Sequence, residues 1–405
     1  MEAFINAFTT NNMPEVIEIT QDQLQKAEKE KEILQRKINK AIEHNQSRIT
    51  DQKDYLSTIS GNSINDYFVS LNLPVENRPQ VYLNNDHLAF RHIQDNTLVQ
   101  NTIHPHALGQ LSAKLGWDTG FARELSNSND LWKRQCLAVG LTTFFHNLSG
   151  DTAYLVRTVN NQIRGFLSNS YKRLDSWAIL TDFERTAHAA GCMTYDIEVS
   201  DTRHYLEVVY PQVFQAVTLN NGIVSFVIGA RYRNSDFGDS SFEISTYMLN
   251  VACMNGMTRE SVINRVHRGK RMDEVTFQLS DLTVQADNLA AASLARDAIN
   301  YFFSPQVMEK RIHEIMSASE YMIEGRQLNN IYETLNKNGV TKPEIEAVKE
   351  RLTINSPDDG LEGKLTLWKL QQALTAVSRD SGSIRKRELD EVAGNLMEKY
   401  VHIKS

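Results

Sequence analysis

The stretch Asn221-Gly-Ile-Val-Ser-Phe-Val-Ile-Gly-Ala-Arg-Tyr232, with Phe242-Glu-Ile-Ser-Thr-Tyr-Met-Leu-Asn-Val251 after it, decides the fold class. Both runs alternate and are rich in Val, Ile, Tyr and Phe, the pattern of β-strands. Asn221-Gly222 is a tight-hairpin dipeptide, because both residues accept positive φ. Phe237-Gly238-Asp239-Ser240 supplies a second turn between the runs. Residues 222–251 are therefore expected to form a hairpin pair within a single antiparallel sheet.

Further strands are read at Tyr154–Val159, Met193–Val199 and Tyr205–Tyr210. Arg164–Tyr171 reads as a turn or short helix, and Thr181–Ala190 as a short helix stopped by Gly191. Residues 151–280 thus read as a sheet core. Residues 281–405 turn helical, from the Ala-rich face of Leu282–Phe303 to a terminal pair at Leu365–Ser378 and Arg387–Val401. Residues 61–150 are mixed. They are punctuated by Pro74, Pro79 and Pro105, with a strand signal at Gln80-Val-Tyr-Leu83. Helices follow, with Asp118 and Ser128 as caps and Leu131, Cys136, Val139 and Phe144 as expected buried positions.

Residues 1–60 form a long polar helix. Its apolar positions, Leu24, Ala27, Leu34, Ile38, Ala41, Ile42 and Ile49, recur at spacings of three, four and seven. That pattern suits a weak coiled coil in a homo-oligomer, a helix packed on its own chain, or a mobile arm. With few large apolar residues there, deleting 1–60 is expected to leave the sheet folded. The fold class is α+β, a central antiparallel sheet with flanking helices, a long N-terminal helix and a C-terminal helical region.

The chain has 405 residues, with 43 Lys+Arg against 50 Asp+Glu and a net charge of −7. A histone-like, wholly basic surface is excluded. Cys136, Cys192 and Cys253 are odd in number and form no CxxC, which argues against a disulfide scaffold. Met-Glu-Ala-Phe-Ile-Asn at the start lacks a basic segment and apolar core. The longest nearly unbroken apolar run, Gly222–Ala230, is nine residues. A cytoplasmic protein without membrane contact is expected.

Motifs for known chemistry are missing: no phosphate-binding glycine loop, no dinucleotide fingerprint, no nucleophile elbow. His87, His92, His104 and His106 lack zinc-ligand spacing, and His188 with Cys192 is a lone pair. Asp196 and Glu198 share one strand face; they read as a cation site or as the solvent side of an edge strand. Neither catalysis, metal nor cofactor is expected. The informative charge is basic. Arg259, Arg265, Arg268, Lys270 and Arg271 fall within 13 residues, and Arg231 and Arg233 form a same-face pair just before. Residues 151–271 carry 13 Lys/Arg against 12 Asp/Glu, so the acidity lies elsewhere. The cluster reads as a solvated loop or as a phosphate-tracking patch with aromatic neighbours Tyr232 and Phe237.

Three segments carry a resemblance. They are Arg164-Gly-Phe-Leu-Ser-Asn-Ser-Tyr-Lys-Arg-Leu-Asp175; Asn234-Ser-Asp-Phe-Gly-Asp239 through Tyr247–Cys253 to Asn255-Gly256-Met257 and His267-Arg-Gly269; and Leu374–Leu396. In this order, over about residues 150–400, the chain resembles the phage/plasmid-like proteins grouped as domain of unknown function 932. Asn250 stands where such proteins often carry Arg. The resemblance implies a gene of a phage, prophage or plasmid and brings no catalytic residues with it. Two functions follow as expectations. The first is a non-enzymatic DNA-metabolism protein binding single-stranded nucleic acid, as annealing proteins do, through Arg164, Lys172, Arg173, Arg231, Arg233, Arg265, Arg268, Lys270 and Arg271. The second is a phage structural or interaction protein, as a virion component or host-defence antagonist. Asn221, Gly222, Asn234, Gly238, Asn255 and Gly256 are expected to set turn geometry. Arg164, Tyr171, Arg173 and Asp175 could instead join in a buried network.

Overall fold

The structure, a computed structural model, describes residues 21–71, 73–94, 97–147, 153–217, 223–250, 255–265, 279–353 and 365–400. The chain forms two sheets with helices packed on both. The first has the order β1-β5-β6-β4-β3-β2: β1 Asn65–Ser70, β2 Gln80–Asn84, β3 His87–Gln94, β4 Thr97–Ile103, β5 Ala153–Val159 and β6 Gln162–Ser168. Its pairs are antiparallel except β4 with β6. Two hairpins close on Asn85-Asp86 and Asn160-Asn161, all four residues at positive φ, which Asn and Asp tolerate. One face is covered by α2 Pro105–Lys114, α3 Thr119–Ser126 and α4 Leu131–Asn147, with Phe90, Leu141, Phe145 and Phe166 at the centre.

The second sheet has the order β12-β11-β10-β8-β7: β7 Met193–Val199, β8 His204–Val209, β10 Ile223–Asn234, β11 Phe242–Asn250 and β12 Asn255–Arg265. β9 Phe214–Val217 pairs with the start of β10. Tyr232, Phe242 and Ile244 face α5 Ser176–Ala189 and α6 Asp281–Phe302. A further core holds Phe226, Ile228 and Met248 against α7 Pro305–Glu320, α8 Gly325–Lys337, α9 Lys342–Thr353, α10 Leu367–Arg379 and α11 Ser383–Tyr400.

The long first helix, α1 Gln21–Ile59, belongs to the core. Leu34, Ile38 and Ile42 pack on Val209, Val227 and Tyr247, while Ile49, Leu56 and Ile59 join the α5–α6 core. From Leu34 to Ile49 the apolar stripe that a coiled coil would use is occupied within the chain, and the expectation that 1–60 has little to bury is corrected. The helix also runs along the free edge of β7. Asn45 and Arg48 donate to the Tyr195 and Ile197 carbonyls at 2.7 and 2.9 Å, and the Val199 amide donates to Gln52 at 2.7 Å. Helix positions three and four apart thus meet alternate residues of a strand edge that would otherwise stand unpaired.

The β10–β11 hairpin forms as expected, with Arg231 opposite Ser245. The single sheet over 151–280 is corrected to two: β5 and β6 complete the first sheet, so that sheet crosses the boundary read at residue 150. The stretch read as a turn at Arg164–Tyr171 begins inside strand β6. Among the described residues, no helix is long and apolar enough to cross a membrane.

Candidate functional site

Strand alternation puts Ala230 and Tyr232 into the apolar core and Arg231 and Arg233 on the opposite face. Their cross-strand neighbours are acids: Glu207 stands opposite Arg231, and Glu243 opposite Arg233. Helix α11 lies over this face and adds Arg387, Glu388, Asp390 and Glu391. Arg231 Nη2 lies 2.8 Å from Glu207 and 3.2 Å from Asp390. Arg387 reaches Asp196 at 3.2 Å and Glu207 at 3.6 Å. Arg233 pairs with Glu243 and, at 2.9 Å, with Glu391. Asp196 also takes Arg48 of α1, so this carboxylate serves cations from two helices.

Burial pushes the Glu207 carboxyl up, but Arg231 and Arg387 outweigh it and draw it down to about 2. Burial raises Asp390 despite Arg231. The guanidiniums of Arg231 and Arg387 each lie 5.0 Å from a tyrosine ring, Tyr247 and Tyr205. A cavity of about 250 Å³ opens beside them, lined by Arg203, Arg231, Arg233 and Arg387 and by four acids, Asp239, Glu243, Glu388 and Glu391. A phosphate chain entering it meets balanced charge.

The Asn234–Asp239 segment is the hub between the sheets. Asp236 is fully buried; Ser60 Oγ donates to it at 2.7 Å and the Ser176 amide at 3.0 Å. Burial opposes its charge, yet His204 and Arg157 hold its carboxyl below the ordinary range. From the first sheet Arg157 donates to the Asp236 carbonyl (2.6 Å), and from α2, which covers that sheet, Gln110 donates to the Phe237 carbonyl (2.8 Å). Tyr171 donates to the Ser235 carbonyl at 3.0 Å. Arg157 and Arg173 share Asp66, and Asp175 caps α5, so the Arg–Tyr–Asp residues of the motif do enter one buried network. Arg164 stands apart from it, 3.6 Å from Asp201.

The nucleic-acid candidates therefore divide. Arg164, Lys172, Arg173, Arg231 and Arg233 all form ion pairs inside the molecule, with Asp201, Asp287, Asp66, Glu207 and Glu391 among their partners. Each long basic side chain found a carboxylate distant in sequence, which no local pattern reveals. Arg265 ends edge strand β12 opposite Phe242. Arg268, Lys270 and Arg271 lie outside the described residues, as do Asn221 and Gly222. Among the turn formers, Gly238 has φ +76° as a turn requires. Asn234 is instead the buried last residue of β10, its amide on Ser176. Asn255 and Gly256 are corrected to strand: the ladder runs on to pair them with Asn250 and Leu249, so the connection falls at 251–254, outside the described residues. Asp196 and Glu198 face arginines.

Two surfaces escaped the sequence reading. Helix α4 is apolar around most of its girth, so periodicity could not choose its inner face. The positions expected inside, Leu131, Cys136, Val139 and Phe144, are exposed, while Leu137, Ala138, Leu141 and Phe145 are buried. Trp132 is 60% and Val139 66% exposed, with Phe121 of α3 also out. The second surface is the face of β2–β3–β4 turned away from α2–α4. Gln80, Arg91 and Gln100 stand directly opposite one another across the three strands. The Arg91 guanidinium lies 5.4 Å from the Tyr82 ring centre, and Ile93 and Leu98 form an exposed cross-strand pair beside it. The alternation of Gln80 and Tyr82 in the Gln80–Leu83 strand signal was the clue that could have located it.

Comparisons of this chain with protein families, curated proteins and solved structures found no match.

Proposed function

We propose that this chain is a non-enzymatic interaction protein, of the phage- or plasmid-encoded kind it resembles, and that the α3–α4 face binds a second copy of itself. One observation carries the reading: five large apolar side chains, Phe121, Leu131, Trp132, Val139 and Phe144, stand exposed on two adjacent helices. Such clusters mark contact surfaces, and Trp is prominent among the residues that dominate their energy. A second copy fits by symmetry: in an antiparallel pair of α4 helices each exposed apolar face covers the other, and the helix carries no acid along its length to oppose the contact. Lys133 and Arg134 near its start pair with Asp130 and Asp86 inside the chain.

Light scattering after size exclusion tests this. The wild type is expected to give a mass of two chains or more at micromolar concentration, and Trp132→Glu with Val139→Glu the mass of one chain with an unchanged melt. A monomeric wild type at 100 µM defeats the reading.

Single-stranded nucleic acid binding is the second reading. The internal ion pairs remove five of its nine candidates as ready phosphate contacts. What favours it now is the Gln80–Arg91–Gln100 row with Tyr82.

A further inference from the structure

We infer that the cavity between the second sheet and α11 binds a small, uncharged polyhydroxylated molecule, of the size of one sugar ring. The inference goes beyond the self-association reading and uses a different part of the molecule. It starts from what the cavity wall has already matched. Eight charged side chains line it, four arginines and four acids, and each has an ionic partner. Arg231 lies between Glu207 and Asp390, and Arg387 reaches Asp196 and Glu207. Arg233 pairs with Glu243 and Glu391. Arg203 lies 2.9 Å from Asp239 and 3.8 Å from Glu388. A ligand with a full charge therefore meets no unmatched counter-charge, and seating it means breaking a pair that is partly or fully buried. An apolar ligand fares no better. It would strip water from guanidiniums and carboxylates and return no hydrogen bond.

What the wall leaves unmatched is hydroxyl. Ser240, Ser241 and Ser245 line the cavity, two from the β10–β11 turn and one from β11. Ser245 stands directly opposite Arg231 in the ladder, so its side chain shares the arginine's face of the sheet. It is only 2% exposed, yet its hydroxyl has no partner among the described residues. The buried hydroxyl of Ser240 has none either. Buried polar groups are ordinarily satisfied, so two such hydroxyls on one cavity point to an occupant that bonds to them.

A serine hydroxyl donates one hydrogen bond and accepts two, as a ligand hydroxyl does, so the two match in either direction. The carboxylates nearby add to this. Their oxygens keep lone pairs beyond their ion pairs and can take a ligand O–H without releasing an arginine. Size limits the occupant further. The cavity holds about 250 Å³, just under the range of about 300–1,000 Å³ usual for drug-sized ligands, so it admits one ring and no chain of them. Glu388 and Glu391 of α11 are the most exposed charges of the wall and mark its open side.

Saturation-transfer NMR titrations of the full chain at pH 6.5 test this. D-Glucose and D-ribose are the neutral ligands; glucose 6-phosphate, ribose 5-phosphate and D-glucosamine put a negative or positive charge on the same rings. At least one neutral sugar is expected to bind, and its charged derivative about ten-fold or more weakly. Ser245→Ala and, separately, Ser240→Ala are expected to weaken that sugar by about three- to ten-fold with an unchanged thermal melt. A charged derivative that binds as tightly as its neutral parent overturns the preference for uncharged ligands. Sugar binding that both serine variants leave intact lies elsewhere and overturns the cavity as the site. No binding of either neutral sugar up to about 50 mM overturns the inference, and the hydroxyls then serve water alone. None of these results bears on the mass of the protein in solution, so the α3–α4 contact stands or falls separately.

Discussion

Gly238 shows how narrowly the hub between the sheets is built. A Cβ there would lie 2.5 Å from a Leu167 methyl and 3.1 Å from the Gln110 amide nitrogen, and the residue holds φ +76°. Gly238→Ala combines a steric clash with left-handed backbone and is expected to cost about 1–3 kcal/mol in urea unfolding. Arg231 is a buried cation between two buried carboxylates. Arg231→Met leaves Glu207 and Asp390 facing each other without it, and a loss of about 3–5 kcal/mol is expected by the same measurement. His104 gives a pH dependence. Its Nδ1 accepts the His106 amide at 3.2 Å as the cap of α2, so the ring must be neutral at that atom, and Nε2 lies 3.3 Å from Asp201. Burial lowers its pKa below the ordinary value despite Asp201. The folded chain then takes up this proton less readily than the unfolded chain. The cap's contribution is complete above about pH 6.5 and declines as pH falls through that value toward the folded pKa. His104→Asn keeps a capping oxygen without a titration; comparing urea midpoints at pH 7.5 and 5.0, the variant should lose less stability than the wild type between them.

At the scale of elements, α1 decides whether the second sheet stands alone. Ile38 is fully buried against that sheet. Ile38→Ala should cost about 2–4 kcal/mol, and removal of residues 1–60 should abolish the cooperative melt by circular dichroism. The helix itself was legible from its three-four-seven spacing. What it packs on was not, because Leu34, Ile38 and Ile42 could serve equally a second helix or a sheet. Helix α4 failed for the complementary reason: Leu131, Val139 and Phe144 make as plausible an inner stripe as Leu137, Leu141 and Phe145, and only the first sheet's position chooses between them. The strands were legible because Val, Ile, Tyr and Phe alternate, and the β10–β11 pairing follows from that alone.

Over the whole molecule, the candidate chemistry was the least legible part, since its partners are far apart in sequence. Arg231 meets Glu207 across 24 residues and Asp390 across 159. A basic residue met in sequence carries no sign of which carboxylate will neutralise it. The same long reach ties the C-terminal helix to the second sheet through Arg387, Asp390 and Glu391. Truncation before residue 383 is therefore expected to leave Arg231 and Arg233 short of partners and to yield insoluble chain, measured as the soluble fraction after expression.

The contact of α1 with the rim of β7 also sets an order of events in time. Asn45 bonds to a carbonyl 150 residues later in the chain. At roughly 5–20 residues per second of synthesis, the helix is finished about 8–30 s before its strand exists. Through that interval Leu34, Ile38 and Ile42 have nothing native to cover them, and the nascent helix is a natural client for a ribosome-associated chaperone. Once β7 emerges, the helix is already tethered nearby and can close over the rim before a strand from another chain does. A permuted gene that begins at residue 61 and ends with α1 reverses this order. It is expected to reach the same fold in dilute refolding, but to aggregate during synthesis, when the rim is made first and its cover last.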